Sequence, residues 1–189
     1  MHCANVGDSR ALSVKIFSEE DKKINIVGQP LSVDHKPELK GEAERIIAAG
    51  GVIDSFYDPE ETNKPMGPQR VWVKDENFPG LAMSRSLGDT VAHAVGVTSK
   101  PQVTSTLVGI DDKFVVIGSD GVWEFLTNQQ IAEIVFPFYK QNQPETAANE
   151  IVKQAYKRWR LEEEVVDDIT AVVIFMEPLM AYSHILPIE

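Results

Sequence analysis

Acidic side chains at the ends of apolar segments are the residues of this sequence best suited to chemistry. Asp120 comes two residues after the continuous apolar run at 113–118, and Glu124 lies four residues beyond it. If this turn becomes helical, both carboxylates share one face and could bind one ion together. Hard divalent cations require rigidly held oxygen atoms, so the position favours a metal ligand. The residue pattern leaves open the alternative that Asp120 only caps the turn.

A second pair of carboxylates, Asp167 and Asp168, stands immediately before the apolar run at 170–175. Neighbouring carboxylates repel each other unless a positive charge lies beside them, and a bound cation would remove that cost. On charge alone, a solvated loop that continues the acidic run at 162–164 is the favoured alternative. Asp34 is a third acidic residue at the end of a predicted strand. Carboxylates without a cysteine cluster favour Mg²⁺ or Mn²⁺ over zinc.

The predicted elements must bring distant residues together. Asp120 and Asp167 lie 47 residues apart, so a shared site requires the helices between them to return the chain to a neighbouring strand.

Strands clustered at both ends with helices between them indicate an α+β fold, without an internal repeat or a domain boundary. The predicted strands cover 2–6, 11–17, 24–27, 31–33, 70–73, 102–108, 113–118 and 170–175. Three helices are predicted. The first covers 38–49, with Ala43, Ile46 and Ile47 buried, and the third covers 144–160. The second begins at the capping box at 127–130 and is limited or kinked by Pro137. Residues 54–69 are predicted to form an irregular exposed loop.

Composition narrows the class of protein. The formal net charge is −11 with 18 basic and 29 acidic residues, which argues against nucleic-acid binding. The single cysteine, Cys3, excludes an internal disulfide and favours a reducing intracellular compartment, cytoplasmic or nuclear. The sequence has neither a secretory signal pattern nor an apolar run long enough to span a membrane, so we expect no membrane association.

Six ordered motifs extend over about residues 3–176. They are ANVGDSRA (4–11), LSVDHKP (31–37), ERI (44–46) with AGG (49–51), LAMSRSLGD (81–89), GSDGVWE (118–124) and DDIT (167–170). Together they resemble the metal-dependent serine/threonine phosphatases of the protein phosphatase 2C (PP2C) family. The resemblance implies a β-sandwich flanked by antiparallel helices, with a binuclear Mg²⁺ or Mn²⁺ centre at one end. In that family a water molecule that bridges the metals attacks the phosphorus of phosphoserine or phosphothreonine in protein substrates.

Carried over by motif position, the resemblance implies that Asp120 and Asp167 are metal ligands and catalytic residues. Asp168 stands where asparagine is more common, and we expect it to lie behind the ligands. Asp34 and Glu124 match positions that, with Asp120, hold a weaker third metal in some members. At position 124 the family's aspartate is replaced by the longer glutamate. Residues 55–98 resemble the flap that influences substrate choice.

The family also carries an Asp-Gly-His-Gly-Gly segment, an acidic pair and a phosphate-binding arginine ahead of the first motif, and this sequence has none of them. We therefore expect residues 1–177 to be the C-terminal part of a phosphatase domain that lacks its N-terminal strands, followed by a tail at 178–189. The chain alone is expected to have very low activity. Exposed sheet edges would favour a dimer or strand exchange.

Two other functions remain open. The first is a non-catalytic, phosphatase-like module that binds phosphoproteins or kinases, although such a module has no need of both Asp120 and Asp167. The second is a two-metal nuclease, which the negative charge disfavours.

Overall fold

The computed structural model describes residues 1–18, 24–57 and 64–176. Strands and helices are interspersed, and the paired strands for which a register is resolved run antiparallel, so the predicted α+β class is confirmed. The strands are β1 (His2–Asn5), β2 (Arg10–Ser18), β3 (Ile24–Pro30), β4 (Gly51–Tyr57), β5 (Pro65–Val73), β6 (Pro79–Leu81), β7 (Gln102–Ser105), β8 (Asp112–Gly118) and β9 (Ala171–Phe175). The helices are α1 (Lys40–Ala48), α2 (Thr90–His93), α3 (Asp120–Trp123), α4 (Asn128–Tyr139) and α5 (Pro144–Glu162).

Contacts divide the chain into two compact units. The first contains residues 1–3, 9–32 and the chain from 103 onward, and the second contains residues 4–8 and 33–102. The sheets have the strand orders β3-β2-β8-β9, β4-β5-β6 and β1-β7. The four-stranded sheet belongs to the first unit and the three-stranded sheet to the second.

The main core of the first unit lies between the four-stranded sheet and the helices α4 and α5. Alternate residues of β2 and β8 point to this face, and Leu12, Val14, Phe114 and Val116 are fully buried there. This alternation is the pattern expected of strands with one face on a core. α4 begins at the predicted capping box, in which the Thr127 hydroxyl accepts a hydrogen bond from the Gln130 amide (3.2 Å), and the helix continues through Pro137.

The second unit has a smaller core, made by Ile46, Val71, Ala92 and Val97. Here the prediction of an irregular loop over 54–69 is wrong for the described residues, because β4 continues to Tyr57 and β5 starts at Pro65. Prolines and glycine are tolerated because backbone pairing, rather than apolar content, holds this exposed hairpin.

Three other predictions need correction. Residues 31–33 form a bend rather than a strand, since the Leu31 amide bonds to the Ala11 carbonyl and the Ser32 hydroxyl accepts from the Ala11 amide. Helix α1 exposes Ile47 by 63% and buries Glu42 instead, because that carboxylate has ionic partners. The strand predicted at 102–108 ends at Ser105. The predicted tail, 178–189, lies outside the described residues.

None of the helices in the described ranges is long and apolar enough to cross a membrane.

Candidate metal centre

The turn after β8 carries the first pair of predicted site residues. Ser119, in an extended conformation, caps α3, and Asp120 is the first residue of that helix. The Glu124 amide donates to the Asp120 carbonyl at 2.9 Å. The turn is therefore helical, which is the condition set above for a shared face, and Asp120 and Glu124 are one helical turn apart.

Buried aromatic packing holds this turn in place. Trp123 is 7% exposed, and its indole nitrogen donates to the Gly118 carbonyl at 2.8 Å. The Arg10 guanidinium lies 5.1 Å from the Trp123 ring centroid and donates to the side-chain oxygen of Asn128 at 2.8 Å. Since Arg10 is also the strand partner of Gly118, the start of β2 supports the turn through backbone and side chain together.

Ser119 joins the turn to the second acidic segment. Its hydroxyl donates to the Asp168 carbonyl at 3.0 Å and accepts from the Thr170 amide at 3.1 Å. Its own amide donates to the Thr170 carbonyl at 3.1 Å. One residue therefore makes three hydrogen bonds to the 168–170 backbone, and we call this arrangement the Ser119 clasp. The return of the chain to a neighbouring strand, which a shared site requires, is present, because Gly118 pairs with Ala171.

Close packing next to the clasp requires a glycine. A Cβ atom at Gly121 would lie 3.0 Å from the Asp168 carbonyl carbon and still closer to its oxygen. The Gly121 carbonyl accepts a 2.7 Å hydrogen bond from the indole of Trp159, on α5. Trp159 packs edge to face on Phe125, with the ring centroids 4.8 Å apart. The end of α5 thus supports the same turn.

Backbone hydrogen bonds orient the acidic side chains themselves. One carboxylate oxygen of Asp120, which is half-buried, accepts from the Gly121 amide at 2.9 Å. One oxygen of Asp167 accepts from the Asp168 amide at 2.8 Å. Asp167, Asp168 and Glu124 are exposed, so a solvated ion can reach them.

Asp34, the other predicted ligand, belongs to the second unit, whereas Asp120, Glu124 and Asp167 belong to the first. It is half-buried and precedes His35, whose imidazole contacts the Gly7 backbone and the Gln102 side chain. The next residue, Lys36, pairs with the buried carboxylate of Asp8 at 2.5 Å.

Over the described ranges, no group of three or more His, Cys, Asp or Glu side chains is close enough to hold a metal ion. Mg²⁺ is commonly held by one or two carboxylates, with water and substrate phosphate completing its shell. The half-buried Asp120 and the exposed Asp167, on segments joined at one sheet end, fit a hard divalent ion held in that manner. They do not form a closed site made of protein ligands alone.

Sequence reasoning missed the supporting residues Ser119, Gly121 and Trp159. Ser119 and Gly121 stand inside the quoted motif at 118–124, so their position was visible but their partner at Asp168 was not. Trp159 lies within the helix predicted at 144–160, and nothing in the sequence pattern indicates its contact with Gly121.

Comparison with known proteins establishes the family. The sequence matches the family model for Protein phosphatase 2C over residues 1–161. The chain belongs to the protein phosphatase 2C family. It is 36% identical over 177 residues to Probable protein phosphatase 2C 34 of Arabidopsis thaliana, covering 93% of this chain and 46% of that protein. It is 38% identical over 175 residues to Probable protein phosphatase 2C 12 of Oryza sativa subsp. japonica, covering 92% of this chain and 42% of that protein.

Two solved structures share this fold. The serine-threonine phosphatase 2C from Toxoplasma gondii superimposes with a TM-score of 0.76 at 21% identity, over 93% of this chain and 54% of that chain. A C. elegans sex determining protein superimposes with a TM-score of 0.69 at 20% identity, over 95% of this chain and 38% of that chain. The PP2C-like fold implied by the motifs is thereby confirmed. The chain spans about half the length of the curated relatives that it matches.

Proposed function

We propose that this chain supplies metal-binding carboxylates to a Mg²⁺- or Mn²⁺-dependent serine/threonine phosphoprotein phosphatase. The observation that carries the proposal is the Ser119 clasp, which joins the segment of Asp120 to that of Asp167. Membership of the PP2C family supports the reaction class. The substrates are phosphoserine and phosphothreonine side chains of proteins.

In this proposal Asp120 and Asp167 are the catalytic residues, because they hold the ion that contacts the phosphoryl group. When bound, a divalent ion of this kind withdraws charge from phosphoryl oxygens and lowers the pKa of water. Ser119 is a positioning residue, since it sets the separation of the two acidic segments. Asp168 contributes its backbone carbonyl to the clasp. Glu124 is a proposed ligand of a further, weaker ion, whereas Asp34, in the other unit, stays a prediction from the motif alone.

The test is Mn²⁺ binding by the 189-residue chain, measured by isothermal titration calorimetry. Asp120→Asn and Asp167→Asn should each weaken the affinity at least tenfold, because each removes the charge of a ligand. Ser119→Ala should weaken it by roughly 10-fold, as loss of a group that orients a ligand typically does, and Ser119→Thr should restore it. Asp111→Asn, an exposed carboxylate beside the opposite end of β8, is the matched control and should bind Mn²⁺ normally.

Activity gives the second measurement. We expect hydrolysis of p-nitrophenyl phosphate with Mn²⁺ to be near zero for this chain alone, since it corresponds to about half of its relatives. The longest expressed form of the protein should be active, and Asp120→Ala should abolish that activity. Full activity in the Asp120→Ala variant would refute the metal assignment.

A non-catalytic phosphatase-like module is the second candidate. It is favoured by the lack of a three-ligand group over the described residues. Phosphopeptide binding that is independent of Mn²⁺, with no hydrolysis in the longest form, would support this candidate over the enzyme.

We also propose that the isolated chain self-associates. Ile117, Val172 and Ile174 are 41–47% exposed on the sheet face opposite the helices, and Ile117 pairs with Val172 across β8 and β9. β9 is an edge strand of its sheet in the described part of the chain. A monodisperse monomer in light scattering at high concentration would contradict this proposal.

An intracellular location, cytoplasmic or nuclear, stays a prediction from cysteine content.

A further inference from the structure

The second unit contains an open cavity that the proposed metal chemistry does not use. Its volume is about 680 Å³, within the range of roughly 300–1,000 Å³ that is common for ligand sites. β4, β5 and the turn that follows β5 form its walls. The side chains that matter are Phe56, Tyr57, Trp72, Asp54, Asp75 and Glu76.

Aromatic rings provide the apolar wall of this cavity. Phe56 and Tyr57 are 52% and 47% exposed, so a ligand in the cavity can reach both side chains. The Trp72 ring packs edge to face on Phe56, with centroids 5.0 Å apart. The Trp72 indole donates to the Asp54 carbonyl at 2.9 Å, and the ring also packs closely on Gly80. The wall is therefore held in place by the hairpin.

Carboxylates provide the polar part. Asp54 accepts hydrogen bonds from the Tyr57 hydroxyl (2.7 Å) and the Ser55 amide (2.8 Å), which hold it at the mouth. Asp75 and Glu76 are exposed on the turn. Of the lining residues that the structure describes, none is basic. Arg70, which is not a lining residue, has its guanidinium 5.2 Å from the Phe56 ring centroid and donates to the Gly80 carbonyl.

This combination selects one class of ligand. A guanidinium or ammonium group is attracted both to the face of an aromatic ring and to nearby carboxylates. The stacking of Arg70 on Phe56 is an example of the same contact within this unit. An acidic peptide would meet three carboxylates without a lining cation, so charge complementarity excludes it.

We propose that this cavity is a docking site for an arginine- or lysine-bearing segment of a partner protein. The cation lies against Phe56 and Tyr57 and is paired with Asp54, Asp75 and Glu76. The site requires neither phosphate nor metal, so the proposal goes beyond the proposed function and can fail or succeed without it. If the phosphatase proposal also holds, the cavity favours phosphoproteins that have basic residues away from the phosphorylated position.

The experiment measures fluorescence anisotropy of a labelled Gly-Ser-Arg-Arg-Ser-Gly peptide titrated with the full 189-residue chain, without metal and at about 0.15 M salt. The double variant Asp75→Asn with Glu76→Gln removes two lining charges, and asparagine still accepts the left-handed backbone of residue 75. Phe56→Leu removes a ring face. The matched control is Glu162→Gln with Glu163→Gln, which makes the same change in net charge on α5 and at its end.

We expect at least fivefold weaker binding for the lining double variant and for Phe56→Leu, with the control double variant unchanged. Circular dichroism spectra must match among the unmodified chain and its three variants. If Phe56→Leu unfolds, Phe56→Tyr replaces it, and this variant should retain binding because it keeps the aromatic ring. Equal weakening by the control would show that only net charge attracts the peptide and would overturn the proposal. Equal binding of a Gly-Ser-Glu-Glu-Ser-Gly peptide, or unchanged binding in both lining variants, would overturn it as well.

Discussion

The two compact units are stabilised by different physical means. In the first unit, apolar side chains from two strands and three helices make one continuous core. In the second unit the core is small, and a buried carboxylate organises much of the packing. Glu42 on α1 pairs with Arg85 at 2.6 Å and with Arg45 at 2.9 Å, and it accepts from the Ser84 hydroxyl at 2.6 Å.

The arginines in this cluster also hold irregular backbone. Arg45 donates to the carbonyls of Gly96 and Ser84, both at 2.7 Å, and Arg85 donates to the Lys100 carbonyl at 3.0 Å. Residues 82–100 contain little regular structure, so these bonds replace those that a strand or helix would provide. The contrast shows that periodicity identifies a core of strands and helices but does not identify a segment held by charged side chains.

The largest expected effect is in the first unit, at Phe114. This ring is fully buried between β8 and the helices, with Tyr139 and Phe175 packed on it. Phe114→Ala should lower the free energy of unfolding by about 3–5 kcal/mol, because it leaves a cavity. Urea denaturation measures it, and Ile117→Ala, on the exposed face of the same strand, should cost much less. Equal losses for the two variants would contradict the assignment of faces.

The corresponding change in the second unit is Glu42→Gln. It leaves Arg85 and Arg45 without their charged partner. We expect the free energy of unfolding to fall by about 3 kcal/mol. This is near the lower end for breaking a buried ion pair, because glutamine keeps one acceptor. Hydrogen exchange should accelerate first at 84–100, whereas Phe114→Ala should accelerate it in α4 and α5. Glu44→Gln, an exposed change on the same helix, is the control. Unchanged exchange at 84–100 would show that the cluster does not hold this segment.

Acid should distinguish the two units further. Burial acts to raise the pKa of Glu42, but hydrogen bonds from Arg85, Arg45 and Ser84 outweigh it and hold that pKa well below its usual range. The contribution of the ionised Glu42 to the free energy of unfolding is therefore complete above the carboxyl's unfolded pKa of about 4.3. It is lost as the pH falls toward the lower pKa of the folded state. Between about pH 7 and about pH 3, the penalty of Glu42→Gln should shrink in urea denaturation while that of Phe114→Ala stays constant. A pH-independent penalty at Glu42 would contradict the lowered pKa.

The smallest effect is expected at the capping box of α4. Thr127→Ala removes the side-chain acceptor for the Gln130 amide and should cost about 1 kcal/mol in thermal or urea unfolding. Thr127→Ser should keep most of the stability, since serine accepts the same bond. A loss as large as that of Phe114→Ala would mean that Thr127 has a role in packing as well.

Much of the first unit was predictable because its residues interact at short, regular spacings. The apolar run at 113–118, the box at 127–130 and the helix predicted at 144–160 each appear in the structure. The second unit was predicted less well. The described parts of 54–69 are paired strands, and the inward face of α1 carries Glu42 rather than Ile47, because partners distant in sequence decide both.

For the candidate centre, the sequence alone determined which residue types are available: carboxylates at the ends of two apolar strands, in motifs shared with the PP2C family. Only the tertiary structure decided that Ser119 joins those two segments and that Gly121 leaves room for the Asp168 backbone. The physical reason is that strand ends and helical turns follow from local side-chain patterns. The loops that carry Asp120 and Asp167 are separated by 47 residues. Their contact depends instead on how α4 and α5, which lie between the two loops in the sequence, pack on the sheet.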